Sequence, residues 1–313
     1  FALPVFTVTV VRGQRASEQP EEPIQLLPPG EVDSARTLRV LDGDTVTEMT
    51  FSDYLQGVLR AEMPASFAQD ALCAQTVAAR TYTYYKMQNG GNHGDTADIC
   101  TDHTCCQAFL GKDRAADNWG KNAERYEAKI ENAVSATDGQ VMLYGGTPIL
   151  AVFHSSSAGE TWNSGQVWAQ DLPYLQSVSS PEGEGVPNYY STVELTEAEF
   201  REKFLAARPE ADLSGPASEW IQDPVTDGVH VERITIGGVP VSGPSVRSIF
   251  GLRSASFTAE AGDGKITFYV TGYGHGVGMS QYGANAMAEA GSTWREILVH
   301  YYTGVTIGPW TGG

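Results

Sequence analysis

The strongest constraint in this sequence is a pair of consecutive helices broken by one proline. Periodicity predicts a helix over 51–62, with Ser52 or Asp53 as its cap, and a longer one over 67–88, with Pro64 between them. Proline has no amide hydrogen and clashes with the preceding turn, so a single continuous helix is excluded. Ser66, with Gln69 three places on, reads as a capping box for the second helix. In the first helix Leu55, Val58 and Leu59 recur at the i, i+3, i+4 spacing of a buried stripe. Something else in the chain must cover that stripe.

The rest of the pattern supplies strands. Asp42-Gly43 reads as the turn of a hairpin, and Gly145-Gly146 as the turn of another over 140–153. Strands over 231–236 and 265–270 bracket a short helix near 246–250. Thr196 and Glu199 cap a further helix, and two more follow late, over 279–290 and 294–302, the last opened by Thr293-x-x-Glu296. Helices early and late with hairpins between them predict an α+β fold instead of a parallel βαβ sheet. The stretch of about 180–230 is more polar and reads as an inserted, smaller subdomain of a core spanning 37–313.

Ahead of that core, 12–36 is acidic and proline-rich, the composition of an extended linker. Residues 1–11 are nearly all apolar, but eleven residues fall short of the roughly 20 needed to span a bilayer. They read either as an ordinary first strand or as the outer end of a removed membrane anchor. The charge narrows the partners: 20 Lys+Arg against 38 Asp+Glu give −18, whereas phosphate binding needs a basic face. Nucleic acid is therefore excluded as an expected partner, and a basic membrane-surface protein is disfavoured.

Four constellations carry possible chemistry. The position after Leu55, Val58 and Leu59 on the apolar stripe is Glu62, and desolvation there would raise its pKa toward that of a general acid. The alternative is a Glu62 turned outward or paired with Arg80. Arg80 itself, among small and aromatic neighbours, either pairs with a buried carboxylate or reaches into a cleft. Between 89 and 108 the chain loses periodicity and gathers His93, Cys100, His103, Cys105 and Cys106, enough nitrogen and sulfur for a tetrahedral zinc site. The competing reading is a disulfide from Cys100 to Cys105 or Cys106 in an oxidising compartment. The segment FHSSSAGET, 153–161, lacks the G-x-S-x-G nucleophile elbow and reads as a polar loop lining a cleft. The glycine-rich stretch 272–283 fails the dinucleotide fingerprint at its third glycine, leaving His275, Ser280 and Gln281 presented at a helix start.

Taken in order, several motifs resemble the stage II sporulation protein D family, which includes amidase enhancers: YLQGVLRAEMPASF (54–67), ALCAQTVAARTY (71–82), DICTDHTCCQ (98–107), FHSSSAGET (153–161), LPYLQSVSSPE (172–182), GYGHGVGMSQYGANAMAEAG (272–291) and ILVHYYTGV (297–305). The resemblance implies a lytic transglycosylase acting on peptidoglycan glycan strands stripped of peptides, in wall remodelling during sporulation and engulfment. It implies Glu62 as the catalytic acid and Arg80 as a second residue needed for activity. Substrate contacts are expected from His154, Ser155, Ser156, Tyr174, His275, Ser280, Gln281 and Tyr282. It implies structural zinc on His93, Cys100, Cys105 and Cys106, with His103 as the alternative to Cys105. It also implies a partner amidase or endopeptidase, and an extracytoplasmic, membrane-anchored location facing the wall or the forespore intermembrane space. Many relatives carry Lys where this chain has Gln176. The competing class is a glycan-binding module that stimulates an amidase without cutting.

Overall fold

The computed structural model describes residues 24–89 and 93–312. The two readings of 1–11, and the first part of the linker, fall outside the described residues. A short helix, α1 (Glu31–Ala35), precedes the expected hairpin of β1 (Thr37–Asp42) and β2 (Thr45–Thr50), whose turn places Gly43 at φ 57°. The helix pair follows as α2 (Phe51–Glu62) and α3 (Gln69–Gln88). The cap of α2 is Thr50, whose hydroxyl accepts the Asp53 N–H, because Ser52 and Asp53 already lie inside the helix. The Ser66–Gln69 box does not form. Gln69 donates its side-chain amide to the Lys129 carbonyl, and the Ala68 N–H goes to Asn285, so tertiary partners replace the local cap.

A two-residue strand, β3 (Ile99–Cys100), lies parallel to β1, and α4 (Lys112–Trp119) and α5 (Ala123–Ala136) follow. The second hairpin is shorter than expected. β4 (Gln140–Tyr144) pairs with β5 (Thr147–Pro148), and the chain then leaves that sheet, so that β6 (Phe153–His154) serves another. After a short α6 (Ser164–Val167) comes a unit with its own core: β7 (Tyr190–Thr196), α7 (Glu197–Ala207), β8 (Ile221–Thr226), β9 (Val231–Ile236), β10 (Val239–Ser242), α8 (Gly243–Phe250), β11 (Phe257–Gly262) and β12 (Lys265–Thr271). Its core stacks Phe200 on Phe204, Phe250 and Phe268, so the packing unit runs well past residue 230. The chain returns to the first core through β13 (Met279–Ser280), α9 (Gln281–Glu289), α10 (Trp294–Tyr301) and β14 (Thr306–Pro309), with the Thr293–Glu296 capping box formed as expected. The architecture is α+β. Among the described residues no helix is long and apolar enough to cross a membrane.

The centre of the first core is α3, which packs against α2, α5, α9, α10 and β4. Its Arg80 is fully buried and pairs with Asp33, Nη2 to Oδ2 at 2.6 Å and Nε to Oδ1 at 3.1 Å. Its Nη1 donates to the Gln140 carbonyl at 3.1 Å. Asp33 belongs to the stretch expected to be an extended linker, and here the structure corrects the sequence reading. Residues 24–36 dock onto the core, with Asn132 holding Gln25 and Leu27 and with Asp138 accepting the N–H groups of Val32 and Asp33. The physical reason is that a buried guanidinium requires a counter-ion, and this segment carries it. Replacing Asp33 by Ala leaves Arg80 buried and unpaired, so urea unfolding should show a loss of about 3–5 kcal/mol. An unchanged midpoint would mean that the pair does not anchor the segment.

Candidate active site and metal loop

Glu62 is the last residue of α2, where backbone carbonyls lack helical partners. Gln281 supplies one, donating Nε2–H to the Glu62 carbonyl at 2.8 Å. The Glu62 carboxyl is half-buried, and its Oε1 accepts the Ala108 N–H at 2.8 Å. Desolvation raises its pKa above the ordinary value, outweighing the Ala108 hydrogen bond and the nearby His103, both of which lower it. A carboxyl in this state retains its proton to higher pH than a solvated Glu, which suits a proton donor.

Two distant segments meet beside it because β6 and β13 pair in parallel, His154 opposite Ser280. Gly278, at φ 71°, makes that approach possible: a side chain there would collide with the Val152 carbonyl. The Ser155 carbonyl accepts the Tyr282 N–H at 3.0 Å, and Ser280 caps α9 by accepting the Gly283 N–H at 3.2 Å. Thus Glu62, His154, Ser155, Ser280, Gln281 and Tyr282 form one connected patch.

Other expected site residues lie elsewhere or serve the scaffold. Arg80 does not reach a cleft; it is consumed by Asp33 in the core. The Tyr174 hydroxyl accepts the Leu150 N–H at 3.3 Å while its ring packs on Tyr144. Ser156 is buried, its backbone bridged to Tyr273, and Gln176 bonds the Leu172 carbonyl. His275 accepts the Val277 N–H on Nδ1 at 3.1 Å and stacks near His154 and Trp168. His154 sits between the Val277 carbonyl and the Ser157 hydroxyl. A carbonyl only accepts, so Nδ1 carries the proton and Nε2 accepts from Ser157. Among the described residues no carboxylate orients this imidazole, and Ser157 is 3% exposed, which removes the serine-nucleophile geometry. Sequence reasoning missed Asp33, the Ala108 N–H, and the Asp227–His230 pair at 2.9 Å, whose Asp227 also receives the Trp162 indole N–H at 3.1 Å.

The cysteine loop is ordered locally. β1 holds Cys100, and the N–H groups of Cys105 and Cys106 turn back onto the Asp102 carbonyl. The ligand atoms of His93, Cys100, Cys105 and Cys106 all lie within 4.8 Å of one another. His93 Nε2 is 3.6 Å from each of the Cys105 and Cys106 sulfurs, which are 3.7 Å apart. A tetrahedral zinc with ordinary bond lengths separates its ligands by about 3.5 Å for N···S and about 3.8 Å for S···S. The donor set therefore fits that ion, and none of the four cysteines is in a disulfide. His103 is excluded from the cluster: it is exposed and faces Asp102.

Comparison with known proteins matches residues 42–144 to the family described as SpoIID, Stage II sporulation protein. Stage II sporulation protein D of Bacillus amyloliquefaciens is 36% identical over 264 residues, covering 84% of this chain and 75% of the relative. The chain belongs to the stage II sporulation protein D family. The family's Bacillus subtilis (strain 168) member of the same name is also 36% identical, with 76% of its length covered. A protein named Amidase enhancer, from Bacillus subtilis (strain 168), is 30% identical over 81% of this chain and 40% of its own length.

The histidines of the site carry a pH signature. Burial lowers the pKa of His154, His230 and His275, the last to about 4; neighbouring cationic groups add to this for His154 and His275, whereas Asp227 opposes it for His230. Lowered folded pKa values mean that these groups support the fold fully above the unfolded value near 6.5, and that this support is lost as pH falls from there through the folded values. NMR of the folded protein should find the His154 and His275 rings neutral at pH 7 and stability declining toward pH 4; either ring titrating near 6.5 would contradict its burial.

Proposed function

We propose that the protein is a lytic transglycosylase of peptidoglycan glycan strands, with Glu62 as its single acid and base. The carrying observation is the Glu62 carboxyl: half-buried, raised in pKa, and fixed by the Ala108 N–H beside Gln281. Hydrolytic glycosidases ordinarily need a second carboxylate to activate water or attack the sugar. Here the muramic 6-hydroxyl takes that role. Glu62 gives its proton to the glycosidic oxygen as the C1–O bond breaks, and the next sugar leaves with a free 4-hydroxyl. The 6-oxygen then bonds to C1 while its proton passes to the Glu62 carboxylate. The enzyme is regenerated, no water is consumed, and the product carries a 1,6-anhydro end. Ser155 and Tyr282, joined to each other and next to the Gln281 that grips the Glu62 backbone, are the residues to hold sugar hydroxyls.

The family's sporulation name, together with the relative named Amidase enhancer, supports a role in cell-wall remodelling outside the cytoplasm. The substrate is then a strand already stripped by an amidase, which is the partner activity this reading requires. The same relative supports a second reading, a glycan-gripping module that stimulates an amidase without cutting. Incubation of peptide-free glycan strands followed by mass spectrometry separates the two. The enzyme reading expects anhydro-muramic ends from the native protein and a loss of about 10²–10⁴-fold in Glu62→Gln. Native protein that binds strands and yields no such ends would establish the second reading. Activity should also fall as pH rises through the raised Glu62 pKa, since the acid must begin protonated.

The four-residue cluster is the proposed seat of a structural zinc, held by His93, Cys100, Cys105 and Cys106. When bound, the ion cross-links a loop that has little core of its own. Elemental analysis should give one zinc per chain, lost in Cys100→Ser. Zinc-free protein with two thiols consumed would favour a disulfide.

A further inference from the structure

Beside the patch lies a buried carboxyl that the reaction above does not use. Glu182 is 7% exposed, and its Oε1 accepts two hydrogen bonds, from the Ser157 N–H at 2.6 Å and from the Ser280 hydroxyl. Its Oε2 has no hydrogen-bond partner. That oxygen lies over Gly283, where a Cβ would collide with it and with the hydroxyls of Ser180 and Tyr301, which bond each other at 2.6 Å. An unpaired buried oxygen destabilises the fold, a cost that an apolar residue at this place would avoid. What only an acceptor supplies here is one atom that ties two segments together. One segment is the loop after β6, held through Ser157. The other is the start of α9, held through its cap Ser280, and the next residue is the Gln281 that grips the Glu62 carbonyl.

We propose that Glu182 is a positioning residue for Glu62, acting through Ser280 and Gln281. The carboxyl fixes the start of α9 against the loop, and α9 in turn fixes the end of α2 that carries the acid. Loss of the tie lets the Gln281 amide drift, and displacements of about 1 Å at a reacting centre cost up to about 10²-fold in rate. The proposal rests on the reading of Glu62 as the acid, and the test separates the two.

The experiment compares full-chain Glu182→Ala, Glu182→Gln, Gln281→Ala and the Glu182→Ala/Gln281→Ala double variant. On peptide-free glycan strands, Glu182→Ala should lower kcat about 10-fold or more with KM within about twofold. Glu182→Gln keeps an acceptor oxygen and should recover most of the rate. In the Gln281→Ala background, Glu182→Ala should add little, because the route through Gln281 is already cut. Full kcat in Glu182→Ala, equal impairment in both Glu182 variants, or fully additive losses would each overturn the proposal. Hydrogen exchange reads the tie without any turnover: amides of 157 and 283 should lose protection in Glu182→Ala and keep it in Glu182→Gln. Unchanged exchange at both would likewise overturn it. Native protein that makes no anhydro ends but shows this exchange pattern refutes the role of Glu62 and leaves the tie standing. Should Glu182→Ala fail to fold, Ser280→Ala removes the same hydrogen bond and takes its place.

Discussion

The buried Arg80–Asp33 pair is the interaction on which the rest of the molecule depends. A guanidinium with no exposure cannot remain uncompensated, so the chain ahead of β1 is drawn onto the core to deliver one carboxylate. With Arg80 neutralised, α3 can bury its central stretch, residues 71–81, and present its other faces to α2, α5, α9 and α10. The candidate site lies where two of those neighbours meet. The end of α2 carries Glu62, the start of α9 carries Gln281, and the hydrogen bond between them spans two helices separated by most of the chain.

Glu62 is held from three directions by groups that carry no net charge. Gln281 satisfies its carbonyl, Ala108 satisfies one carboxyl oxygen, and the end of α2 adds the partial negative charge of unpaired carbonyls. None of these compensates a carboxylate as Asp33 compensates Arg80. That contrast is the physical basis for treating one ionisable group as scaffold and the other as a proton donor. The Ala108 contact also links the acid to the cysteine loop, since Ala108 follows Cys106 by two residues and Gln107 between them is buried against Tyr54 and Thr83.

The histidines around the β6–β13 crossing, expected from the resemblance as substrate contacts, also hold the scaffold together. His154 and His275 each spend a ring nitrogen on a main-chain group within Val277, which fixes the turn that feeds α9. His230 does similar service with Asp227 and Trp162, where the core around Trp162 meets the core of the β7–β12 unit. Burial keeps His154 and His275 neutral, so the charge chemistry of the patch is left to a carboxyl.

By itself the sequence determined the elements whose signals are local: the helix pair split at Pro64, the Asp42-Gly43 hairpin, the capping boxes at Thr196 and Thr293, and the α+β class. It also singled out Glu62, because a carboxyl on an apolar stripe is a periodic anomaly, and the His93–Cys106 donor cluster, because soft donors gather within one loop. The tertiary structure alone decided which partner each polar group finds. Asp33 reads as linker until Arg80 needs it, and Ser66 reads as a cap until Ala68 finds Asn285. Arg80 had two open readings, and only packing chose the buried one. Glu182 carried no local signal, since its meaning lies in Ser157 and Ser280, which one parallel pairing of β6 with β13 brings together. Periodicity and capping act over a few residues and are legible in one dimension. Compensation of buried charge and polarity acts through space, between groups whose proximity exists only after the chain has folded.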